Sequence, residues 1–168
     1  MVMVRGVHRI GDGINRFGEI LCLIMLAVMV VVTGMQIVFR VFFTALTWSE
    51  ELCRYLLVWS SFVGASCVYH SGGHISVTVV QNLLPEGGRR AAQVVVHLLC
   101  AVFFALMVYF GAVYAMKQSR QLSPAMRIPM SYLYASIPAG GLMMLWHAVD
   151  AVLQTLFPDR KNEEADEL

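Results

Sequence analysis

Charge is scarce in this chain. Asp, Glu, Lys and Arg make up 14% of its 168 residues, against 58% hydrophobic residues. A soluble domain carries roughly 25% charge, and a chain of this size needs polar surface to coat its core. The shortage excludes an ordinary soluble domain. It also excludes a nucleic-acid binder, because a net charge of +1 leaves no electrostatic footprint for phosphate backbones. Cysteine is sparse and poorly spaced for chemistry. Cys22, Cys53, Cys67 and Cys100 form no C-x-x-C pair, so they read as small apolar packing residues and not as zinc or redox ligands. The phosphate loop G-x-x-x-x-G-K-S/T is missing, and Gly87-Gly88-Arg89-Arg90 is a turn without it. Neither H-E-x-x-H nor G-x-S-x-G occurs. The expectation is a single domain with no catalytic residue, no substrate-binding residue, no metal and no cofactor.

What is there in quantity is uncharged sequence. Twenty residues separate Glu19 from Arg40, 31 separate Arg54 from Glu86, 26 separate Arg90 from Lys117, and 22 separate Arg127 from Asp150. A helix rises about 1.5 Å per residue, so about 20 residues cross a hydrocarbon core of about 30 Å. The runs do not alternate as barrel strands must. The pattern predicts an all-α integral membrane protein with four transmembrane helices, near 17–43, 50–70, 91–117 and 130–153. Residues 1–157 form one membrane domain. The tail 158–168, with five acids and two bases, is expected to be disordered.

The first apolar run follows Arg5, Arg9 and Arg16. It is too long for a signal peptide and no small-residue cleavage site follows it, so it reads as a retained helix. Before it, Val4, Val7, Ile10, Ile14, Phe17 and Leu21 recur at helical spacing among charged residues. This is a short amphipathic segment suited to the headgroup layer. Gly11 and Gly13 are expected to break it into a turn or two. With four crossings, both termini share a side with the second loop. Seven basic residues fall there (Arg5, Arg9, Arg16, Arg89, Arg90, Arg160 and Lys161) against five on the other side (Arg40, Arg54, Lys117, Arg120 and Arg127). That bias points to cytoplasmic termini.

The second helix opens on charge. Ser49 is placed to cap it, Glu50 and Glu51 favour its positive end, and Arg54 stands within reach of either acid at i+4 or i+3. A self-satisfied helix start and a contact with a membrane partner both fit. Intramembrane charge is costly enough to keep the partner in play. Near the other end, His147 and Asp150 are spaced for a local pair. His97 and His147 are the two histidines at similar depth on separate helices, and a haem ligated between them is the alternative function. Small residues mark packing faces: Ser60, Gly64 and Cys67; Ala101, Ala105 and Ala112; Ser136 and Gly140. Pro138 is expected to kink the fourth helix. No internal repeat is visible, which counts against a complete secondary transporter.

Three segments then occur in order. The first is Trp48-Ser49-Glu50-Glu51-Leu52-Cys53-Arg54-Tyr55, continuing to Trp59. The second is Gly72-Gly73-His74-Ile75. The third is Ser123-Pro124-Ala125-Met126-Arg127-Ile128-Pro129-Met130, followed by Ile137-Pro138. Over roughly residues 15–155 the chain resembles the small membrane subunit, DctQ-type, of the tripartite ATP-independent periplasmic (TRAP) transporters. The resemblance implies a bacterial inner-membrane scaffold that pairs with a large multi-helix permease subunit. It also implies a periplasmic binding protein that delivers an organic acid, and uptake driven by a sodium gradient that this chain does not itself bind. Trp48, Glu50, Glu51, Arg54, Tyr55, Trp59, His74, Ile128, Pro129 and Pro138 are carried over as hallmark or partner-interface positions, without individual roles. Two other readings stand beside it: the four-helix membrane cytochrome, and a self-assembling small membrane protein such as an exporter.

Overall fold

The computed structural model describes residues 2–71 and 86–156, with side chains for 11–71 and 92–153. His74 and the acidic tail lie outside the described residues. Among the described residues there are five α-helices: α1 Val2–Phe42, α2 Ser49–His70, α3 Glu86–Lys117, the single turn α4 Ser131–Tyr134, and α5 Ser136–Leu156. Four segments are long and apolar enough to cross a membrane: Gly11–Phe42, Ser49–His70, Ala92–Arg120 and Ser131–Leu153. The protein is an all-α membrane protein.

The amphipathic start is not separate. Residues 2–16 are the opening turns of α1, which runs unbroken through Gly11 and Gly13 for 41 residues. At 1.5 Å per residue that is about 60 Å, twice the hydrocarbon thickness. Such a helix extends beyond the bilayer or tilts within it. Two glycines cost about 1 kcal/mol each in helix propensity. Packing at Gly11 offsets that cost. A Cβ there would lie 3.5 Å from Asp150 Oδ2 and 3.7 Å from Trp146 Nε1, so the glycine lets α1 lie against α5.

The helices pack in the order α1, α2, α5, α3, with α1 also touching α5 at Gly11 and Gly18. Among the described residues no substantial packing joins α1 to α3. Small residues set each contact. Between α1 and α2 the arrangement is reciprocal: Cys67 Sγ covers Gly18, where a Cβ would come within 2.9 Å, and Cys22 Sγ lies opposite Gly64. The four cysteines are free, and these two act as the small packing residues their positions suggest. In α5, consecutive glycines face opposite neighbours. Gly140 abuts Phe62 of α2, and Gly141 abuts Met107 and Val108 of α3. The buried cluster Phe104, Met144 and Ala148 fills the α3–α5 interface.

Pro138 does not kink the middle of a helix. The interruption falls at Ala135, between α4 and α5, and Pro138 is the third residue of α5. In a first turn the missing N–H removes no bond of the helix interior. The ring packs toward Gly111, where a Cβ would meet Pro138 Cδ at 3.2 Å.

Candidate functional site

Glu51, Tyr55 and Trp59 are spaced i, i+4, i+8 on α2, which places them on one face. All three reach the same stretch of chain, residues 125–132. Glu51 Oε2 accepts hydrogen bonds from the backbone N–H groups of Ala125 and Met126, each at 2.9 Å. The Tyr55 hydroxyl donates to Met130 Sδ at 3.5 Å. The Trp59 indole N–H donates to the Tyr132 carbonyl at 3.0 Å. Three side chains at successive turns thus fasten the whole connection between α3 and α5 to α2.

The local sequence shapes that connection. After the 3-10 turn Gln118–Arg120, Leu122 and Pro129 pair as an isolated antiparallel bridge. The Met130 N–H donates to the Gln121 carbonyl at 2.8 Å, and the Ser123 N–H to the Ile128 carbonyl at 2.9 Å. The Ser123 hydroxyl accepts from the Ile128 N–H at 3.3 Å. Pro129, with no N–H to donate, occupies a position where none is required. Arg127 closes the tip at φ 53°, in the left-handed region that non-glycine residues rarely occupy. The result is a four-residue tip, Pro124 to Arg127, whose successive amides converge as an anion-binding nest. The anion is Glu51, at the positive end of its own helix.

Several sequence-based expectations need correction here. The hydrogen bonds of Glu51 go to the loop, 74 residues away in sequence, and the exposed Arg54 acts on it through charge alone. Glu50 accepts from the Gln36 amide on α1 at 3.3 Å. Ser49 does not cap α2: the N-cap position is Trp48, with no side-chain cap bond. Ser49 is fully buried, and its hydroxyl donates to the Leu46 carbonyl at 2.8 Å. Of the ten hallmark positions, Glu51, Tyr55, Trp59, Ile128 and Pro129 come together. Glu50 bonds toward α1, Trp48 and Arg54 are exposed at the start of α2, and Pro138 packs elsewhere. Tyr132 is the residue missed; Ser123, Ala125, Met126 and Met130 stood in the third segment without the roles the structure gives them. The available signal was the i, i+4, i+8 spacing of an acid, a tyrosine and a tryptophan on one helix.

Nothing among the described residues supports the haem alternative. His97 shares a hydrogen bond with the Tyr69 hydroxyl at 3.1 Å. His147 instead lies edge-on to His70, ring centroids 4.6 Å apart. The structure therefore gives each of the two proposed ligands a different neighbour. His147 and Asp150 are 2% and 3% exposed, but the expected pairing is not seen, since neither His147 ring nitrogen has a hydrogen-bond partner among the described residues. His70 Nε2 sits 3.3 Å from Asp12 Oδ1, tying α2 to α1.

Comparison with known proteins bears on the family of the whole chain. The family model described as "Tripartite ATP-independent periplasmic transporters, DctQ component" matches residues 29–157. A putative TRAP transporter small permease protein of Haemophilus influenzae is 26% identical over 145 residues, covering 86% of this chain and 90% of that protein. The C4-dicarboxylate TRAP transporter small permease protein DctQ of Rhodobacter capsulatus is 32% identical over 101 residues, 59% of this chain and 44% of the relative. The sialic acid TRAP transporter permease protein SiaT of H. influenzae is 28% identical over 112 residues, 67% of this chain but only 18% of that longer protein. Matched by the family model over most of its length, the chain belongs to the DctQ family of TRAP transporter small permease subunits.

Proposed function

We propose that this chain is the rigid scaffold half of a TRAP permease. It holds a large multi-helix subunit in the bacterial inner membrane while that subunit moves an organic acid delivered by a periplasmic binding protein. A sodium gradient drives the uptake, and both termini face the cytoplasm. The observation that carries this reading is the triple attachment of the 125–132 segment to α2 through Glu51, Tyr55 and Trp59. A transport element must move, whereas this loop is tied down at three successive turns. The ends of α2 and α5 are thereby held in fixed register.

Two further features support the scaffold role. Glu50, Glu51 and Glu86 open their helices and Asp150 lies six residues from the end of α5, while Glu19, ninth in the span Gly11–Phe42, is the acid farthest from a helix end. Substrate and ion sites in secondary transporters usually sit near the midplane between half-helices. The single helix interruption, at Ala135, supplies one broken element and not a facing pair. Among the described residues α1 and α3 share no substantial packing, so the helices do not close into a ring around a path.

The test is reconstitution in liposomes of the small subunit alone, the large subunit alone, and both together, with a sodium gradient and loaded binding protein. Uptake is expected only from the pair. Uptake by this chain alone would overturn the scaffold reading, and full uptake by the large subunit alone would make the chain dispensable.

A further inference from the structure

The outer edge of α3 carries a polar group that nothing among the described residues answers. Tyr109 is 64% exposed. Its ring meets Phe110 in a T-shaped contact at 5.2 Å, and its hydroxyl has no hydrogen bond among the described residues. The apolar span Ala92–Arg120 is 29 residues long and Tyr109 is its eighteenth, about 4.5 Å from its middle at 1.5 Å per residue. The nearer end is 11 residues away, about 16 Å along the axis, which is beyond the reach of a phenol. Hydrocarbon offers no hydrogen-bond partner at that depth, and a buried tyrosine hydroxyl usually finds one.

The opposite edge of the packing is different. On α1 the mid-span hydroxyl, Thr33, is answered within the chain: it donates to the Met29 carbonyl, 2.7 Å away, and lies 3.7 Å from Cys53 Sγ of α2. Leu23, Ile24, Val30 and Val31 around it are exposed aliphatics suited to lipid. On α3 the exposed Leu99, Val102, Leu106 and Tyr109 follow 3, 4, 3 spacing, with Phe103 and Phe110 beside them. That is a seam for one antiparallel or parallel helix, with the aromatic content that interfaces enrich.

We propose that this edge of α3 is the docking face for the large permease subunit. One of its transmembrane helices lies along the Leu99–Tyr109 seam and presents a hydrogen-bond acceptor to the Tyr109 hydroxyl. The proposal rests on the two-subunit reading above. It agrees with the alignment of this chain to 18% of a longer TRAP permease, in which the matching segment is one part of a larger chain. The outer edge of α1 then faces lipid.

Co-expression of the small and large subunits tests it, with a photoreactive benzoylphenylalanine at Leu106 or at Val30. Crosslinks to the large subunit are expected from position 106 and not from 30. Crosslinking from 30 as strongly as from 106, from neither, or from 106 to a second copy of this chain overturns the docking face. Failure of the unsubstituted subunits to co-purify overturns instead the two-subunit reading on which it rests. Tyr109→Phe is expected to lower recovery of the large subunit several-fold without changing the thermal unfolding of the small subunit. Unchanged recovery overturns the hydrogen bond.

Discussion

A Cβ on Gly140 would stand 2.7 Å from the Cβ of Phe62 and 3.2 Å from its backbone carbonyl carbon and oxygen. At this point α2 and α5 touch backbone to backbone, and the obstacle is not a flexible side-chain tip. The close approach is what the missing Cβ permits, and interhelical packing in membranes relies on such sites.

Gly140→Ala is therefore expected to destabilise the protein by about 1–3 kcal/mol, the usual cost of overpacking. Gly34→Ala is the contrast. Nothing lies within 4 Å of a Cβ at Gly34, and removing a mid-helix glycine gains up to about 1 kcal/mol of propensity. Thermal unfolding in detergent should show the two variants moving in opposite directions. Equal shifts would contradict the packing argument.

Glu51→Lys should release the 121–130 loop, because it sets an ammonium against the two amide donors of Ala125 and Met126. Trypsin cleavage after Arg127 is expected to accelerate several-fold. Glu50→Lys, which loses only a contact to Gln36, should cleave near the wild-type rate. A similar rate for both variants would mean that the carboxylate does not hold the loop.

Trp59→Phe keeps an aromatic ring on α2 but removes the donor to the Tyr132 carbonyl. The expected loss is about 1 kcal/mol, the net worth of an ordinary hydrogen bond. Trp59→Ala should lose more. The measurement is again thermal unfolding, and a neutral Trp59→Phe would show that the indole N–H contributes nothing.

His147→Phe is expected to be neutral or stabilising. The imidazole is buried with no hydrogen-bond partner among the described residues. An apolar ring in its place removes a desolvation penalty while keeping the edge contact with His70. A drop in unfolding temperature would show that the imidazole makes a bond not accounted for.

The bias of seven basic residues against five predicts cytoplasmic termini. Single cysteines at Gln121 and Asp166 check it in cells, in a background with the four native cysteines removed. An impermeant reagent should label position 121 and spare 166, and the reverse pattern would invert the topology.

Composition was enough to establish a four-helix membrane protein. An uncharged run of 20 residues or more has few other stable homes, and hydrocarbon thickness sets the length. The hallmark motifs were equally legible as patterns of residue type and spacing. What stayed hidden was everything that depends on which surfaces face each other. Helical spacing showed that Arg54 lay within reach of Glu51, since it reports neighbours on the same helix. It carried no information about the Ala125 and Met126 amides, which reach Glu51 only after the loop folds back across α2. The continuity of α1 through Gly11 and Gly13 was hidden for the same reason. Local propensity argued for a break, and the packing of Gly11 against α5 prevailed. The order α1, α2, α5, α3 is likewise a tertiary decision. Apolar runs state that a helix enters the membrane, but close packing at Gly18, Gly140 and Gly141 decides which helix lies beside it, because in lipid the fit of surfaces selects neighbours and hydrophobicity does not.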